Sequence, residues 1–363
     1  MKEAILSTFY DLVAIDAPAR HEQKIAQNLK NRLEKLGCST DQDDKGNLFG
    51  YLEGTGGEPF LLSAHMDRVP PGKGHIPVLE GDILKSTGET NLGADDVAGL
   101  VVILEALQRI VDQKLPHPPL VIAFTVEEEL GLRGAGEMDM SKLARYQVSQ
   151  GIVYDNAGLA GTVVSKNPAY VTFTIKLACQ AGHPGKDISQ ATYLLKAIQE
   201  IDWMLGASDG GDTRVNIGVI QAGATWNVIP GEMSIQGEVR SLSEPKIEQK
   251  IATLRQNIQT VCSLHNITFT MDTKRLAYAY DVSENEPLVQ KYRQVIEGRK
   301  GTFRAQPIFI TSDTNVFRGE QKLDVITVST GTENDHTLEE WIRVSDLVAL
   351  TEDLTNLLQQ MAI

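Results

Sequence analysis

The sequence has few cysteines and lacks a long apolar run. Three cysteines lie far apart in a chain of 363 residues, which argues against both a disulfide framework and a thiolate metal site. No apolar run reaches the roughly 20 residues that a membrane-spanning helix needs. The most apolar stretch, residues 97–111, is interrupted by Glu105 and Arg109, and we expect it to form a buried helix.

Positive charge is also scarce. The 34 lysines and arginines are outnumbered by 48 aspartates and glutamates, which gives a formal net charge of -14. Nucleic acid and anionic membranes carry the same sign, so neither is expected as a partner. Bound divalent cations would offset part of this excess. The first 13 residues include Lys2, Glu3 and Asp11 and lead to no small-residue cleavage site, so we expect a cytoplasmic protein without a signal peptide.

The chain is long enough for two domains, because single cores usually stop growing at roughly 250 to 300 residues. Hydrophobic residues make up 42% and charged residues 23% of the sequence, as is typical of a globular protein. In the first third, helical periodicity up to Gly37 gives way to short apolar runs. We interpret these runs as strands of an α/β sheet with helices on both faces, at residues 48–52, 60–63 and 120–125.

The pattern changes after Lys166. Alternating segments predict four strands, at residues 170–176, 216–221, 233–239 and 267–271. Two helices are predicted within the same part of the chain, at residues 191–205 and 247–261. The α/β pattern returns after about Tyr280, with a strand at residues 324–328 and a closing helix at 344–361. We therefore expect one discontinuous domain, residues 1–166 and 281–363, with an α+β domain, residues 167–280, inserted into it.

The most distinctive motif is Ser63-Ala-His65-Met-Asp67, which follows an apolar strand. A neutral imidazole can bind zinc while a nearby carboxylate orients its other ring nitrogen. A His and an Asp two residues apart also occur in ordinary solvated loops, so the motif alone decides nothing.

A second motif, Asn91-Leu-Gly-Ala-Asp95-Asp96-Val-Ala-Gly99, leads into the apolar helix. One of its two aspartates would cap that helix, since a carboxylate at a helix N-terminus accepts hydrogen bonds from free backbone N–H groups. Capping and metal binding are compatible roles for this pair.

A third motif, Phe124-Thr-Val-Glu127-Glu128-Glu129-Leu-Gly131, places three carboxylates directly after an apolar strand. That arrangement is costly unless cations lie nearby. A solvated acidic loop is the alternative. However, open α/β sheets bind ligands at the carboxyl ends of their strands, and this run follows a strand of the expected core.

Two shorter motifs complete the set, Tyr154-Asp155-Asn156 and Asn334-Asp335-His336. Histidines and carboxylates at strand ends suit zinc, manganese or cobalt. The candidate ligands, in chain order, are His65, Asp95, Glu129, Asp155 and His336.

Together these motifs resemble, in type and order along essentially the whole chain, the dinuclear-zinc peptidase and aminoacylase family. Within that family they are most similar to the tripeptidase branch known as peptidase T. The resemblance implies a zinc-exopeptidase-like α/β catalytic domain, with a mixed sheet flanked by helices and an inserted α+β lid or dimerisation domain.

The resemblance also implies a role for each residue of the motifs. His65 and Asp155 would bind one metal, Glu129 and His336 the other, and Asp95 would bridge the two. Asp67 would orient His65 and Glu128 would be the general base. A cis peptide bond is implied between Asp95 and Asp96.

In the inserted domain, Ala181-Gly-His183-Pro-Gly185, Asn227-Val-Ile-Pro230 and Arg240 match the family as well. By this resemblance His183 would polarise the substrate carbonyl, in its own or a neighbouring subunit. Asn227 and Arg240 would bind an oxygen or a carboxylate of the substrate. A homodimer through an edge strand of this domain is compatible with the sequence.

The sequence departs from the family pattern at two places. Val97 stands where the family commonly has lysine, and Ile310-Thr-Ser-Asp313-Thr replaces a Gly-Gly-Thr-Asp-Gly type turn. Both departures bear on substrate preference.

The expected activity is that of an aminopeptidase acting on di- or tripeptides with two divalent metals, zinc first and manganese or cobalt as alternatives. An aminoacylase, deacetylase or carboxypeptidase, or a silent metal- or peptide-binding protein, remain the alternatives. A self-compartmentalising aminopeptidase is disfavoured by the inserted domain.

Overall fold

The computed structural model describes residues 1–187 and 193–363. The chain divides into two compact units. Unit 1 comprises Met1–Lys166 and Asp281–Ile363, and unit 2 comprises Asn167–Tyr280. The functions expected for them, catalytic domain and lid or dimerisation domain, stay predictions.

Helices occur in both units. In chain order along the described residues they are α1 Lys2–Val13, α2 Gln23–Lys35, α3 Ala94–Gln113, α4 Arg133–Gly136, α5 Ser141–Ala144, α6 Tyr193–Glu200, α7 Glu244–Leu264, α8 Pro287–Gly298 and α9 Val344–Met361. Short 3-10 segments lie at Glu128–Leu130 and Asp209–Gly211, and a π-helical turn lies at Asn315–Glu320.

The strands are numbered in the same way. They are β1 Ser39–Gln42, β2 Leu48–Leu52, β3 Phe60–His65, β4 Val78–Glu80, β5 Ile83–Lys85, β6 Leu120–Thr125, β7 Gln150–Tyr154, β8 Val163–Asn167, β9 Ala169–Ala178, β10 Gly206–Ser208, β11 Thr213–Ala222, β12 Glu232–Ser241, β13 Thr268–Ala277, β14 Tyr280–Asp281, β15 Ala305–Pro307, β16 Asp324–Val328 and β17 Trp341–Arg343.

Unit 1 is built on a mixed sheet with the order β1-β2-β6-β3-β7-β16-β8 and with β15 beside β8. Strands β6, β3, β7 and β16 are parallel to one another. Every residue of β3 and β6 is buried. Such continuous burial explains why these strands appear in the sequence as unbroken apolar runs rather than as alternating ones.

Helix α3 is the central helix of unit 1. It packs on β3 and β7, and α1 and α9 pack on it in turn. Residues on nearly all sides of it are buried, including Val97, Leu100, Val101 and Leu104, so the prediction of a buried helix at residues 97–111 is confirmed. No helix in the described part of the chain is long and apolar enough to cross a membrane.

Unit 2 is an antiparallel sheet with the order β10-β11-β12-β9-β13, covered by α7. Alternate residues of β9, such as Phe173 and Ile175, are buried in one core with Leu254 and Ile258 of α7. This period of two is what the sequence showed. The mixed sheet flanked by helices, with an α+β insertion, confirms the predicted fold class.

One element of unit 2 was not predicted and one prediction needs correction. The sequence did not predict β10, whose three residues are too few to show a period. The helix predicted at residues 191–205 ends at Glu200, and its predicted start at Ala191 lies outside the described residues. The helix stops because the Asp202 carboxylate accepts a hydrogen bond from the Met204 N–H at 3.0 Å, and Met204 adopts a φ of 53°.

Candidate metal centre

The candidate site of unit 1 lies where three parallel strands end. His65 is the last residue of β3, Asp155 follows β7 directly, and Glu128 and Glu129 lie just beyond β6. Since β3 pairs in parallel with both β6 and β7, these side chains emerge at one edge of the sheet. This is the edge at which α/β sheets usually bind ligands, as the sequence indicated.

Asp95 lies at the middle of the cluster. Its Oδ1 is 3.1 Å from Nε2 of His65, and its Oδ2 is 3.0 Å from Nε2 of His336. One carboxylate therefore faces two imidazoles through its two different oxygens. That is the arrangement required of a ligand shared by two metal ions.

A further carboxylate lies beside each imidazole. Asp155 Oδ1 is 3.8 Å from Nε2 of His65, and Glu129 Oε1 is 2.9 Å from Nε2 of His336. The structure thus brings together the five candidate ligands, as two imidazole–carboxylate pairs on either side of Asp95. The assignment of each pair to one metal stays a prediction.

The residues present fit a pair of divalent cations. Among the described residues, Oδ2 of Asp155 has no hydrogen-bond partner although it is buried, and Oε1 of Glu129 lies 2.9 Å from Nε2 of His336. Three overlapping sets have ligand atoms within 4.8 Å of one another: His65 with Glu128 and Asp155, His65 with Asp95 and Glu129, and Asp95 with Asp335 and His336. Imidazole nitrogens with carboxylate oxygens are donors that zinc, manganese and cobalt accept.

The electrostatics of the site are those of crowded acids. Burial, followed by the charge of Asp155, raises the pKa of Glu128 well above its usual value. Burial likewise raises the pKa of Asp155. The contacts of His336 with Asp95 and then with Glu129 raise the pKa of His336 to about 11. The metal-free site therefore favours bound protons, which divalent cations would replace.

Asp67 is fully buried and holds the acidic turn. Its Oδ1 accepts the N–H of Glu128 at 2.9 Å, and its Oδ2 accepts the N–H of Glu129 at 3.2 Å. The sequence predicted that Asp67 orients His65. Nδ1 of His65 lies 3.0 Å from the main-chain oxygen of Asp67 and 3.5 Å from its carboxylate. The main chain thus provides the closer contact, because the carboxylate already accepts the two backbone N–H groups.

The sequence predicts cations near the carboxylates of Glu127, Glu128 and Glu129, and for Glu127 these cations are side chains of the protein. The carboxylate of Glu127 lies 3.0 Å from Nζ of Lys45 and 3.1 Å from the Arg133 guanidinium. Only Glu128 and Glu129 join the cluster, so two carboxylates of this turn remain for a metal or for catalysis.

Residues 61–360 match the sequence profile of Peptidase family M20/M25/M40. This chain belongs to that family. The predicted family and the metallopeptidase assignment are confirmed.

Several known proteins are similar to this M20/M25/M40 peptidase along nearly its whole length. The uncharacterized protein YqjE of Bacillus subtilis is 28% identical over 374 residues, 99% of this chain and 99% of that protein. The structure of aminopeptidase PepT from Bacillus cereus is 26% identical with a TM-score of 0.90, covering 100% of this chain and 99% of that one. A tripeptidase structure from Staphylococcus aureus is 24% identical with a TM-score of 0.92, covering 100% and 99%. The predicted similarity to the peptidase T branch is confirmed.

The start of α3 separates the two aspartates of the second motif. The peptide bond between Asp95 and Asp96 is cis, as predicted for this family. Asp96, and not Asp95, caps the helix, because its Oδ1 accepts the N–H of Gly99 at 3.0 Å. Its Oδ2 accepts the N–H of His65 at 3.2 Å. The side chain of Asp95 is thereby left for the two imidazoles.

Of the two departures from the family pattern, Val97 is buried, whereas the Ile310–Thr314 segment is buried only in part, since Ile310 is 55% exposed. Val97 belongs to the core of α3. Asp313 accepts a hydrogen bond from the hydroxyl of Thr125, at the end of β6, at 2.5 Å. Burial raises the pKa of Asp313 to about 6. The effect of both departures on substrate preference stays a prediction.

The remaining predicted residues lie in unit 2. His183 is exposed, and its Nδ1 accepts the N–H of Gly185 at 3.1 Å. Asn227 is exposed in the loop before β12 and accepts the hydroxyl of Thr225 at 3.0 Å. The two loops meet, because Gly182 and Ile229 form an isolated antiparallel bridge. His183 and Asn227 therefore belong to one surface of unit 2.

Arg240 does not share that surface. It lies near the far end of β12 from the Asn227 loop, which places it roughly 25–30 Å away at ~3.3 Å per residue. Its guanidinium stacks 4.0 Å from the centre of the Tyr170 ring, and its Nε donates to Glu238 at 3.1 Å. Within one unit 2 these three residues therefore do not form a single substrate site.

One residue near the site had no counterpart in the sequence argument. Glu340 is buried, and its carboxylate accepts backbone N–H groups at the start of α3. A glutamate four residues after the last candidate ligand, directly before a short strand, gave no chemical signal of its own.

Proposed function

We propose that this chain is an aminopeptidase that releases N-terminal residues from di- or tripeptides, with two divalent metal ions held in unit 1. The observation that carries the proposal is the Asp95 carboxylate, which presents one oxygen to His65 and the other to His336. Asp155 and Glu129 would complete the two coordination sets on either side. Zinc is the metal that we propose, with manganese or cobalt as alternatives for the same donors.

When bound, such a metal pair lowers the pKa of a water molecule and polarises the carbonyl group of the bond to be cut. Side chains of this protein would carry out the proton transfers. Glu128 would accept a proton from the attacking water and donate it to the leaving nitrogen. Glu128 is 8% exposed, so both proton transfers would take place largely shielded from bulk water.

Asp67 supports this role through the main chain. Because it accepts the N–H groups of both Glu128 and Glu129, it fixes the base and a ligand in one turn. For unit 2 we propose, from the family resemblance, that His183 polarises the carbonyl and that Asn227 and Arg240 bind substrate oxygens. Given their separation within unit 2, Arg240 would act at a different end of the substrate or in a partner subunit. The homodimer and the cytoplasmic location stay predictions.

Product analysis tests the proposal. Free and N-acetylated di- and tripeptides are incubated with metal-loaded protein, and products are identified by mass spectrometry. Release of N-terminal residues from free peptides alone would support an aminopeptidase. Products only from acetylated peptides would replace it with an aminoacylase or deacetylase, and release of C-terminal residues would replace it with a carboxypeptidase.

The role of Glu128 is tested in the same assay. Glu128→Gln is expected to lower turnover by ~10²- to 10⁴-fold, the range for a lost general acid–base group, with metal content unchanged. Glu127→Gln is the matched control, because the neighbouring carboxylate contacts Lys45 and Arg133 instead of the cluster. Equal losses in both variants would show that the turn, and not the base, had been disturbed.

A further inference from the structure

The backbone that leads into α3 is held by a carboxylate from a distant part of unit 1. The N–H groups of Gly93 and Asp95 donate to Glu340, at 2.8 Å to Oε2 and 3.0 Å to Oε1. Asp95 and Asp96 have non-helical φ/ψ, so these N–H groups precede the regular helix that Asp96 caps. Buried backbone N–H groups need such acceptors.

Glu340 is itself held in place. Its main-chain oxygen accepts the N–H of Ser86 at 3.2 Å. The next residue, Trp341, pairs with Glu333 through two backbone hydrogen bonds of 2.9 and 3.0 Å. These bonds close the loop between residues 333 and 341, and His336 belongs to that loop. The Glu340 side chain is 1% exposed, so water does not compete for its oxygens.

One carboxylate thus connects the segments that carry two candidate ligands. Asp95 lies in the segment that donates to Glu340, and His336 lies in the loop that the Glu333–Trp341 pair closes and that contains Glu340. The two ligands meet where Oδ2 of Asp95 lies 3.0 Å from Nε2 of His336. Glu340 therefore holds the Gly93–Asp95 backbone beside the loop that carries His336, in addition to this contact between the ligands.

We propose that Glu340 is a positioning residue that fixes Asp95 against His336 and thereby sets the affinity of the metal pair. The proposal rests on the proposed metal-binding function of this cluster. The effect is expected to be larger for the metal between Asp95, His336 and Glu129 than for the one beside His65 and Asp155. Partners of this kind around metal ligands typically change metal affinity by ~10- to 100-fold.

The side chain has to be glutamate for geometric reasons. Two oxygens are needed, because two N–H groups donate to it, and glutamine would offer one oxygen and one NH₂ group that repels the second donor. Aspartate keeps both oxygens but is shorter by one methylene group. Glu340→Gln and Glu340→Asp therefore test the pair of acceptors and the reach of the side chain separately.

Metal binding is measured directly, without reference to peptide hydrolysis. Cobalt(II) is titrated into metal-free wild type, Glu340→Gln and Glu340→Asp by calorimetry, while the visible absorption of bound cobalt reports on the coordination. We expect two sites in the wild type. In Glu340→Gln one of them should bind ~10- to 100-fold more weakly and with a changed spectrum. If Glu340→Gln does not fold, a weakened site in Glu340→Asp provides the same support.

Glu286→Gln is the control for a purely structural role. Glu286 also lies at a helix start, before α8, and accepts the N–H of Ser283 at 2.8 Å. The Glu286→Gln substitution should lower the thermal midpoint of the metal-free protein and leave the affinity of both cobalt sites unchanged. Wild-type affinity at both sites in the Glu340 variants would overturn the positioning role alone. A wild type that binds no cobalt would overturn both this proposal and the metal-dependent function.

Discussion

At the residue scale, neighbouring side chains of the same type have different roles. Asp95 contacts two imidazoles, whereas Asp96 accepts backbone N–H groups from His65 and Gly99. Sequence reasoning named Asp95 as a candidate ligand and left the cap open between the two residues. The cap could not be assigned, because the backbone conformation at the start of α3 decides where each carboxylate lies.

A single buried thiol provides a prediction at this scale. Burial raises the pKa of Cys38 to about 12 from its ordinary value of 9.0. The stability that it contributes is complete below the unfolded pKa and is lost as pH rises from 9.0 towards about 12, because only the unfolded chain ionises the thiol in that interval. At a pH one unit above the unfolded value, this loss amounts to about 1.4 kcal/mol.

We therefore expect Cys38→Ala to lose less unfolding free energy than the wild type between about pH 7.5 and pH 10, by about 1.4 kcal/mol. The measurement is urea unfolding at both pH values. Cys179→Ala is the matched control, since Cys179 is half-buried and should show a smaller difference. An equal pH dependence in the wild type and Cys38→Ala would contradict the prediction.

At the scale of elements, the site depends on how closely α3 approaches the sheet. Gly99 in α3 lies against the residue that precedes Asp155. A Cβ atom at Gly99 would come within 2.5 Å of the main-chain oxygen of Tyr154 and 2.6 Å of the Asp96 carboxylate. The helix therefore approaches β7 at a distance that only glycine permits, and a side chain here would force the two elements apart.

Gly99→Ala is expected to destabilise the protein by about 1–3 kcal/mol, the usual cost of overpacking a core. Gly298→Ala tests whether this is a general effect of replacing helical glycines. Gly298 ends α8, and nothing lies within 4 Å of an added Cβ. This control should be neutral or stabilising by up to about 1 kcal/mol. The thermal midpoints of both variants are measured beside that of the wild type. A Gly99→Ala midpoint equal to that of the wild type would show that the close approach is not needed.

At the scale of the whole molecule, the net charge of -14 is partly concentrated in one place. Four carboxylates, those of Asp95, Glu128, Glu129 and Asp155, meet around two imidazoles in unit 1. Repulsion among buried acids opposes folding unless protons or cations offset it. The cluster should therefore make the stability of the protein depend on metal.

Removal of metal is expected to lower the thermal midpoint of the wild type. A ligand that binds only the folded state stabilises it by about 2.7 kcal/mol at 100 times its dissociation constant. The measurement compares protein treated with a chelator, protein treated with the same chelator saturated with zinc, and metal-loaded protein. In Asp95→Asn the difference in thermal midpoint between chelator-treated and metal-loaded protein should largely disappear. A wild-type midpoint that does not respond to the chelator would contradict this account.

Much of the fold could be predicted from the sequence because its signals are local. The apolar runs of β3 and β6, the alternation of β9 and the long apolar segment of α3 each have the period of their element. Where a short-range contact overrides the period, the prediction was wrong. Helix α6 ends at Glu200 because the Asp202 carboxylate and Met204 form a turn, although the apolar residues continue.

The sequence by itself determined which residue types the site contains and the family to which the chain belongs, because His65, Asp95, Glu129, Asp155 and His336 stand in motifs next to recognisable strand ends. Only the tertiary structure decided how these residues are used. Glu127 is withdrawn from the cluster by Lys45 and Arg133, and Glu340 reaches Asp95 across 245 positions of the chain. Such pairings depend on distances between segments that are remote in sequence, and no local pattern of residues encodes them.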